Sequence, residues 1–472
     1  MAEKESFVPS LKLIDATMLV AGSMIGSGIF IVSADITRNT GSAGWLLFVW
    51  LITGFMTLTA ALSYGELSAM FPKAGGQYVY LKQAYNPLVA FLYGWSFFTV
   101  IQTATIAAVG VAFAKFTAYL FPQLGEDHLL LQAGFLKISS AQLLAIGVIV
   151  LLTFINSLGV NSGKAVQTIF TSAKLVSLTA LIIFGFVAFK PEVWHVNWTD
   201  AWNLHQLGKD GSVANYTTIA ALGAIAAAMV GSIFSSDSWN NVTFIAGEIK
   251  NPKKNIGLSL ALGTLIVTVI YIVTNLMYLS VLSLHDIAAS DKDRVGVTAS
   301  QHIFGGPGTW IIAVLIMVST FGCNNGLIMA GARVYYSMAK DGLFFKKAGH
   351  LNQKAVPGYG LWVQCLLASL WCLSGKYGDL LDMISFVVVV FYMLTIAGIF
   401  ILRKKMPDAE RPYRAVGYPV LPVIYILMGL AFCLLLIAYK PAYTWPGLLI
   451  TLAGIPVYYI ILRSSHAKSA AQ

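Results

Sequence analysis

Charge is what this sequence has least of. Asp, Glu, Lys and Arg make up only 11% of its 472 residues, where soluble domains carry about 25%. A run of ordinary globular domains is therefore excluded, although the length alone would allow about three. Cysteine is also scarce. Cys323, Cys365, Cys372 and Cys433 all fall in apolar segments, which implies packed thiols and no disulfide framework. Seven histidines lie in loops or near segment ends, without the paired spacing of a metal site, so no metal is expected. HExxH and GxSxG are absent, and with them the usual signs of a hydrolase. The stretch from Gly159 to Ala165 resembles a phosphate loop but is one residue short, and Ala165 stands where Ser or Thr would hold magnesium. Neither an enzyme nor a bound cofactor is expected.

What remains is apolar. Hydrophobic residues form 57% of the chain, and the mean hydropathy is +0.75. A bilayer crossing takes about 20 apolar residues. Twelve runs qualify, near 11–37, 42–70, 87–121, 139–158, 163–190, 216–246, 257–282, 309–339, 356–374, 378–402, 416–438 and 443–463. The start, MAEKESFVPS, is polar and carries no cleavage signature, so the first span is expected to stay. The net charge of +10 does not point to nucleic acid, because the basic residues sort by side. Alternate loops beginning with the N-terminus hold 20 of the 30 Lys and Arg residues, the other side holds nine, and Lys174 lies within a span. The positive-inside rule then places both termini in the cytoplasm. Short loops leave no room for an extramembrane domain. Asp15 and Glu66, near cytoplasmic span ends, are expected to cap or to pair with basic residues.

Two spans carry interruptions. The first contains GSMIGSGIF, residues 22–30, with three glycines in seven positions, each about 1 kcal/mol poorer than alanine in a helix. The sixth contains Ser235-Ser236-Asp237-Ser238, four residues that prefer caps to helix interiors. Within hydrocarbon, unwound backbone persists only where it faces protein, a wet cavity or a ligand. Breaks five spans apart are the mark of two inverted five-span halves with a site at their interface. Gly26, Ser27 and Gly28 would present amides at the start of a half-helix, a setting for a carboxylate. Carbonyls of Met24, Ile25 and Phe234, with Ser236 or Asp237, would accept from an ammonium. Together these describe a site for a zwitterionic amino acid, with Phe234 placed to close over it. Lys174, about ten residues from either end of the fifth span, cannot snorkel and is expected at the same place.

GSMIGSGIF, YGELSAMFPKAGGQYVYL from Tyr64 to Leu81, AKLVSL around Lys174, and Phe234 with Asp237-Ser238-Trp239-Asn240 and Gly247-Glu248-Ile249-Lys250-Asn251-Pro252 together resemble the L-type amino acid transporter family of the amino acid–polyamine–organocation superfamily. The resemblance covers Leu11 to about Arg463. It implies an all-α membrane protein of twelve transmembrane helices, with a five-plus-five inverted repeat and broken helices 1 and 6. The halves would be 11–190 and 216–402, helices 11 and 12 would fill 416–463, and tails 1–10 and 464–472 would be cytoplasmic. It implies sodium-independent exchange by alternating access. In that likeness Gly26, Ser27 and Gly28 match the carboxylate turn, and Met24, Ile25 and Phe234 match the amino-group carbonyls. Lys174 matches the family's fifth-helix lysine, Asn240 a polar neighbour of the site, and Tyr271 a gating tyrosine of helix 7. Ser236 and Ser238 depart from the Tyr-Asp-Gly-Trp common in bacterial relatives. Animal members carry a cysteine in the loop after helix 3 for a disulfide-linked heavy chain. That loop, PQLGEDHLLLQAGFLKISS, has none, so a stand-alone protein of a bacterial inner membrane is expected, with the bilayer and an amino acid as its partners. The function expected is exchange of neutral L-amino acids. The alternatives are proton-coupled uptake, with Lys174 as the coupling charge, and an amino acid sensor that does not transport.

Overall fold

The computed structural model describes residues 7–133, 136–374 and 377–470; the expected tails at 1–10 and 464–472 lie partly outside these. Eighteen α-helices follow one another: α1 (Leu13–Met24), α2 (Val32–Thr40), α3 (Ala43–Met70), α4 (Gln77–Ala84), α5 (Pro87–Ser96), α6 (Gln102–Leu120), α7 (Ser140–Ser157), α8 (Val160–Val187), α9 (Pro191–Thr199), α10 (Thr218–Ser235), α11 (Asn241–Phe244), α12 (Pro252–Val281), α13 (Leu284–Ala288), α14 (Val295–Lys340), α15 (Gly358–Ser374), α16 (Tyr377–Lys405), α17 (Val420–Tyr439) and α18 (Pro441–Ala470). Ten of these segments, counting α5 and α6 as one, are long and apolar enough to cross a membrane. Two of the expected spans are represented by shorter apolar helices, Leu13–Met24 and Gly358–Leu373.

Local chemistry sets the boundaries. Asn86 caps α5, its side chain accepting from the Val89 amide at 3.0 Å, with Pro87 at the first helical position. Ser139 and Gln142 form a capping box at the start of α7. Gly41, at φ 66°, ends α2 in the left-handed conformation that side chains resist. Between α5 and α6, Phe97–Ile101 winds as one π-turn, a local widening frequent at functional sites. The eighth apolar run extends further than expected. Helix α14 continues back from the span to Val295 across a kink at Gly305 (φ 70°), next to Pro307, so much of 283–308, the stretch between the expected spans 257–282 and 309–339, is helical. The sequence also gave no sign of two antiparallel hairpins in the inter-span loops, Leu129–Ala133 with Leu136–Ser139 and His205–Leu207 with Val213–Asn215.

Packing surrounds the interrupted segments. α1 lies against α8, α12 and α14, while α10 lies against α2, α3, α16 and α17. Two buried carboxylates, Glu66 and Glu248, pair with arginines. Glu66 on α3 accepts from Arg403 at 2.7 Å and lies 3.3 Å from Arg411, the pairing expected of it. The Asp15 carboxylate accepts from the Lys12 amide at 2.8 Å and caps α1. Arg333 and Glu248, each 1% exposed, pair at 2.9 Å. All four cysteines are free and buried.

Candidate functional site

Both expected interruptions are present. α1 stops at Met24, Ile25 is extended (ψ 92°), and a single 3-10 turn, Gly28–Phe30, leads into α2. α10 stops at Ser235, Ser238 takes a positive φ of 66°, and the chain resumes as the short α11. The two breaks touch. A methyl on Gly28 would lie 1.9 Å from Ser235 Oγ and 2.5 Å from its Cβ, so only glycine permits this approach.

The carbonyls of the first break already have donors. Lys174 on α8 is 1% exposed. Its ammonium donates to the Gly22 carbonyl at 2.7 Å and to the Ile25 carbonyl at 2.6 Å. Cys323 on α14 donates to the Ser23 carbonyl at 3.0 Å, and Ser319 reaches the Ile25 carbonyl at 3.4 Å. The Tyr271 hydroxyl on α12 lies 2.9 Å from the Met24 carbonyl and 3.0 Å from the Ser235 carbonyl. With one proton to give, it serves either and so ties the two breaks together. The Phe234 carbonyl takes the Asp237 amide at 3.2 Å. Among the described residues, the Gly26 and Gly28 amides have no acceptor. A carbonyl has two lone pairs, so Met24, met by Tyr271 alone among the described side chains, retains capacity, whereas Ile25 already receives two side chains.

Between the breaks lies a cavity lined by residues that include Met24, Gly26, Ser27, Gly28 and Phe234. It is narrow, with open room for about one water molecule. Six of the nine residues expected to bind were Met24, Ile25, Gly26, Ser27, Gly28 and Phe234, and all but Ile25 line this cavity. Ser235 lines it as well; Ser236 does not, and lines instead a separate small cavity between α3, α10, α16 and α17. Asp237 borders that cavity and also a third small one beside α5, α6 and α16. Its carboxylate accepts the Tyr392 hydroxyl. Asp237 is thus engaged with α16, and the short helix α11 has no side-chain cap. Asn240 donates to Gln77 Oε1 at 3.1 Å, and Gln77 in turn donates to Thr395 at 3.0 Å.

The ends of the bundle are tied. Near the start of α1, the Ser10 and Leu11 amides donate to the Glu248 carbonyl at 2.8 and 2.9 Å, and Lys250 donates back to the Leu11 carbonyl at 2.8 Å. The Arg333–Glu248 pair lies behind this strap. At the far end of α2, Arg38 donates to the Ala288 carbonyl at 3.0 Å and to Asp293 at 2.7 Å.

Tyr392, Tyr93, Gln77, Ser319 and Ser235 were not expected at the site. Apart from Ser235, which belongs to the Ser-Ser-Asp-Ser interruption itself, each is a single polar side chain in an apolar or mixed helix, a weak signal on its own. Among the described residues, no group of His, Cys, Asp and Glu could hold a metal ion.

Comparison with known proteins gives a consistent picture. Residues 11–462 match the sequence profile of a family described as amino acid permease. The chain is 30% identical over 457 residues to the large neutral amino acids transporter small subunit 2 of Homo sapiens, covering 96% of this chain and 80% of that one. It is 28% identical over 457 residues to the b(0,+)-type amino acid transporter 1 of Mus musculus, covering 95% of this chain and 87% of that one.

Proposed function

Because the chain belongs to the amino acid permease family, we propose that it exchanges neutral L-amino acids across a membrane by alternating access, without sodium. The observation that carries this reading is the Lys174 ammonium on the Gly22 and Ile25 carbonyls. Unwound backbone at membrane depth needs a cation or donor to satisfy its carbonyls. Here a side chain supplies one permanently, and a sodium ion has no vacant task at that place. The amides of Gly26, Ser27 and Gly28 would receive the substrate carboxylate, and the carbonyls of Met24 and Phe234 its ammonium. Phe234 would form the gate on one side, and Tyr271 would couple the two breaks.

The layout that goes with this reading has twelve spans, with inverted halves at 11–190 and 216–402, followed by 416–463. The bias of 20 against nine basic residues supports cytoplasmic termini. The protein would act in a bacterial inner membrane. Four buried cysteines support a protein working without a disulfide-linked heavy chain.

The test is counterflow in proteoliposomes at fixed pH, with sodium replaced by choline. Uptake driven by internal amino acid and indifferent to sodium is the expected result. Uptake that requires a proton gradient would instead establish proton coupling, with Lys174 as the charge carrier. Binding without flux would make the protein a sensor.

A further inference from the structure

The third cavity, beside the second break, is lined by side chains that no step above uses. Tyr93, Gln102, Asp237, Ser238, Asn240 and Asn241 are among its walls. Tyr93 is 2% exposed, and its hydroxyl has no partner among the described residues. The Asn241 side-chain nitrogen is buried and likewise unpartnered. At membrane depth an unmet donor is expensive, because neither water nor lipid satisfies it. Two such donors bordering one cavity, with the Asp237 carboxylate as an acceptor beside them, form a polar socket. Ser238 lines both this socket and the cavity between the breaks. The two cavities therefore adjoin at Ser238.

We propose that this socket receives the substrate's side chain and selects small hydrogen-bonding groups, so that hydroxyl- and carboxamide-bearing amino acids are preferred over aliphatic and aromatic ones. The proposal rests on the transport reading above and narrows it. Size agrees with chemistry. The socket has open room for about one water molecule, the space of a hydroxyl and far less than a ring. An aliphatic side chain would leave Tyr93 and Asn241 unpaired, and sites that hydrogen-bond a substrate discriminate strongly against analogues lacking the group.

Threonine and valine have nearly the same shape and differ by one hydroxyl, so they make the test. Radiolabelled L-threonine and L-valine are compared in proteoliposomes of the full chain. In parallel, each amino acid is tested for thermal stabilisation of the purified protein, which reads binding without turnover. Threonine is expected to exceed valine by about tenfold or more in kcat/KM and to stabilise more. Asparagine is expected to exceed leucine. Tyr93→Phe, which keeps the ring packed between Phe97 and Phe391, should shrink the threonine-to-valine ratio. Asn241→Leu should do the same. Equal handling of threonine and valine by the wild type would mean that the socket holds only water, overturning the proposal while leaving transport intact. A ratio unchanged in both variants, or lysine preferred over all neutral amino acids, would overturn it too. Threonine-selective stabilisation without flux would support the socket and refute transport. Absence of both flux and stabilisation would refute both.

Discussion

The contact between Gly28 and Ser235 makes the strongest demand on the sequence. Gly28→Ala places a methyl 1.9 Å from Ser235 Oγ, 2.5 Å from Cβ and 3.1 Å from Cα. The hydroxyl could rotate away, giving up its 2.7 Å bond to the Gly231 carbonyl. Cβ and Cα cannot. Carbon atoms pack at about 3.5–4.0 Å, so the two breaks must separate by roughly an ångström. Overpacking of this kind costs about 1–3 kcal/mol. If the strain falls on the binding-competent arrangement, amino acid affinity drops by about five- to 150-fold. Equilibrium binding of a radiolabelled substrate to purified protein measures the loss, and the melting temperature shows how much falls on folding instead. Ser235→Gly removes both Cβ and Oγ and leaves only the 3.1 Å contact. At the last residue of α10, glycine should cost less than about 1 kcal/mol. The double variant Gly28→Ala with Ser235→Gly should therefore bind better than Gly28→Ala alone, with a coupling of about 0.5–3 kcal/mol. Wild-type affinity and melting temperature in Gly28→Ala would refute the reasoning. So would strictly additive effects in the double variant.

Lys174→Ala strips the donor from the Gly22 and Ile25 carbonyls. Hydrogen bonds to charged groups are worth about 1.5–3 kcal/mol each, so exchange measured from both membrane faces should fall by more than about tenfold on at least one; unchanged rates on both would remove Lys174 from the mechanism. Arg333→Ala leaves Glu248 buried and unpaired, which costs about 3–5 kcal/mol, and the melting temperature should drop steeply; Lys at this position should recover part of it. Asp293 supplies the pH dependence. Burial pushes its carboxyl up, but Arg38, with Lys115 and Lys209, outweighs burial and holds it below the ordinary carboxylate range. A depressed group stabilises fully above its unfolded-state value near 4 and loses that contribution as pH falls through its folded-state value. The melting temperature should decline below about pH 4, and Asp293→Asn should flatten that decline; an unaltered acid limb would show that the Arg38 tie contributes nothing.

Much of this was legible in the sequence because the strongest signals were disruptions. Three glycines in an apolar run and Ser-Ser-Asp-Ser in another mark where helices fail, and both breaks occur where those residues stand. Lys174 was legible for the same reason, as a charge that cannot reach water. The phase of a helix was not. Successive residues point about 100° apart, and one step moved the lining role from Ser236 to Ser235. Nothing in the sequence set Arg333 apart, yet it is 1% exposed and paired with Glu248 across 85 positions of sequence. Tyr93, Gln77 and Tyr392 meet only because α4, α5, α11 and α16 converge, and no local pattern encodes that convergence.

The distribution of hydrogen bonds across the first break favours one end of the proposed ligand. The carbonyls of Gly22, Ser23, Met24 and Ile25 are each met by a side chain from α8, α12 or α14. The Gly26 and Gly28 amides, one turn later, have no acceptor among the described residues. The break is thus largely satisfied as an acceptor and, at Gly26 and Gly28, unsatisfied as a donor. The positive end of the following helical turn adds to the same imbalance. A ligand entering the proposed site meets donors first. Its carboxylate would gain new charge-assisted bonds, whereas its ammonium would share carbonyls that Tyr271 and the Asp237 amide already hold. On this reasoning the carboxylate would anchor the proposed substrate, and the ammonium would chiefly report whether the two breaks are in register.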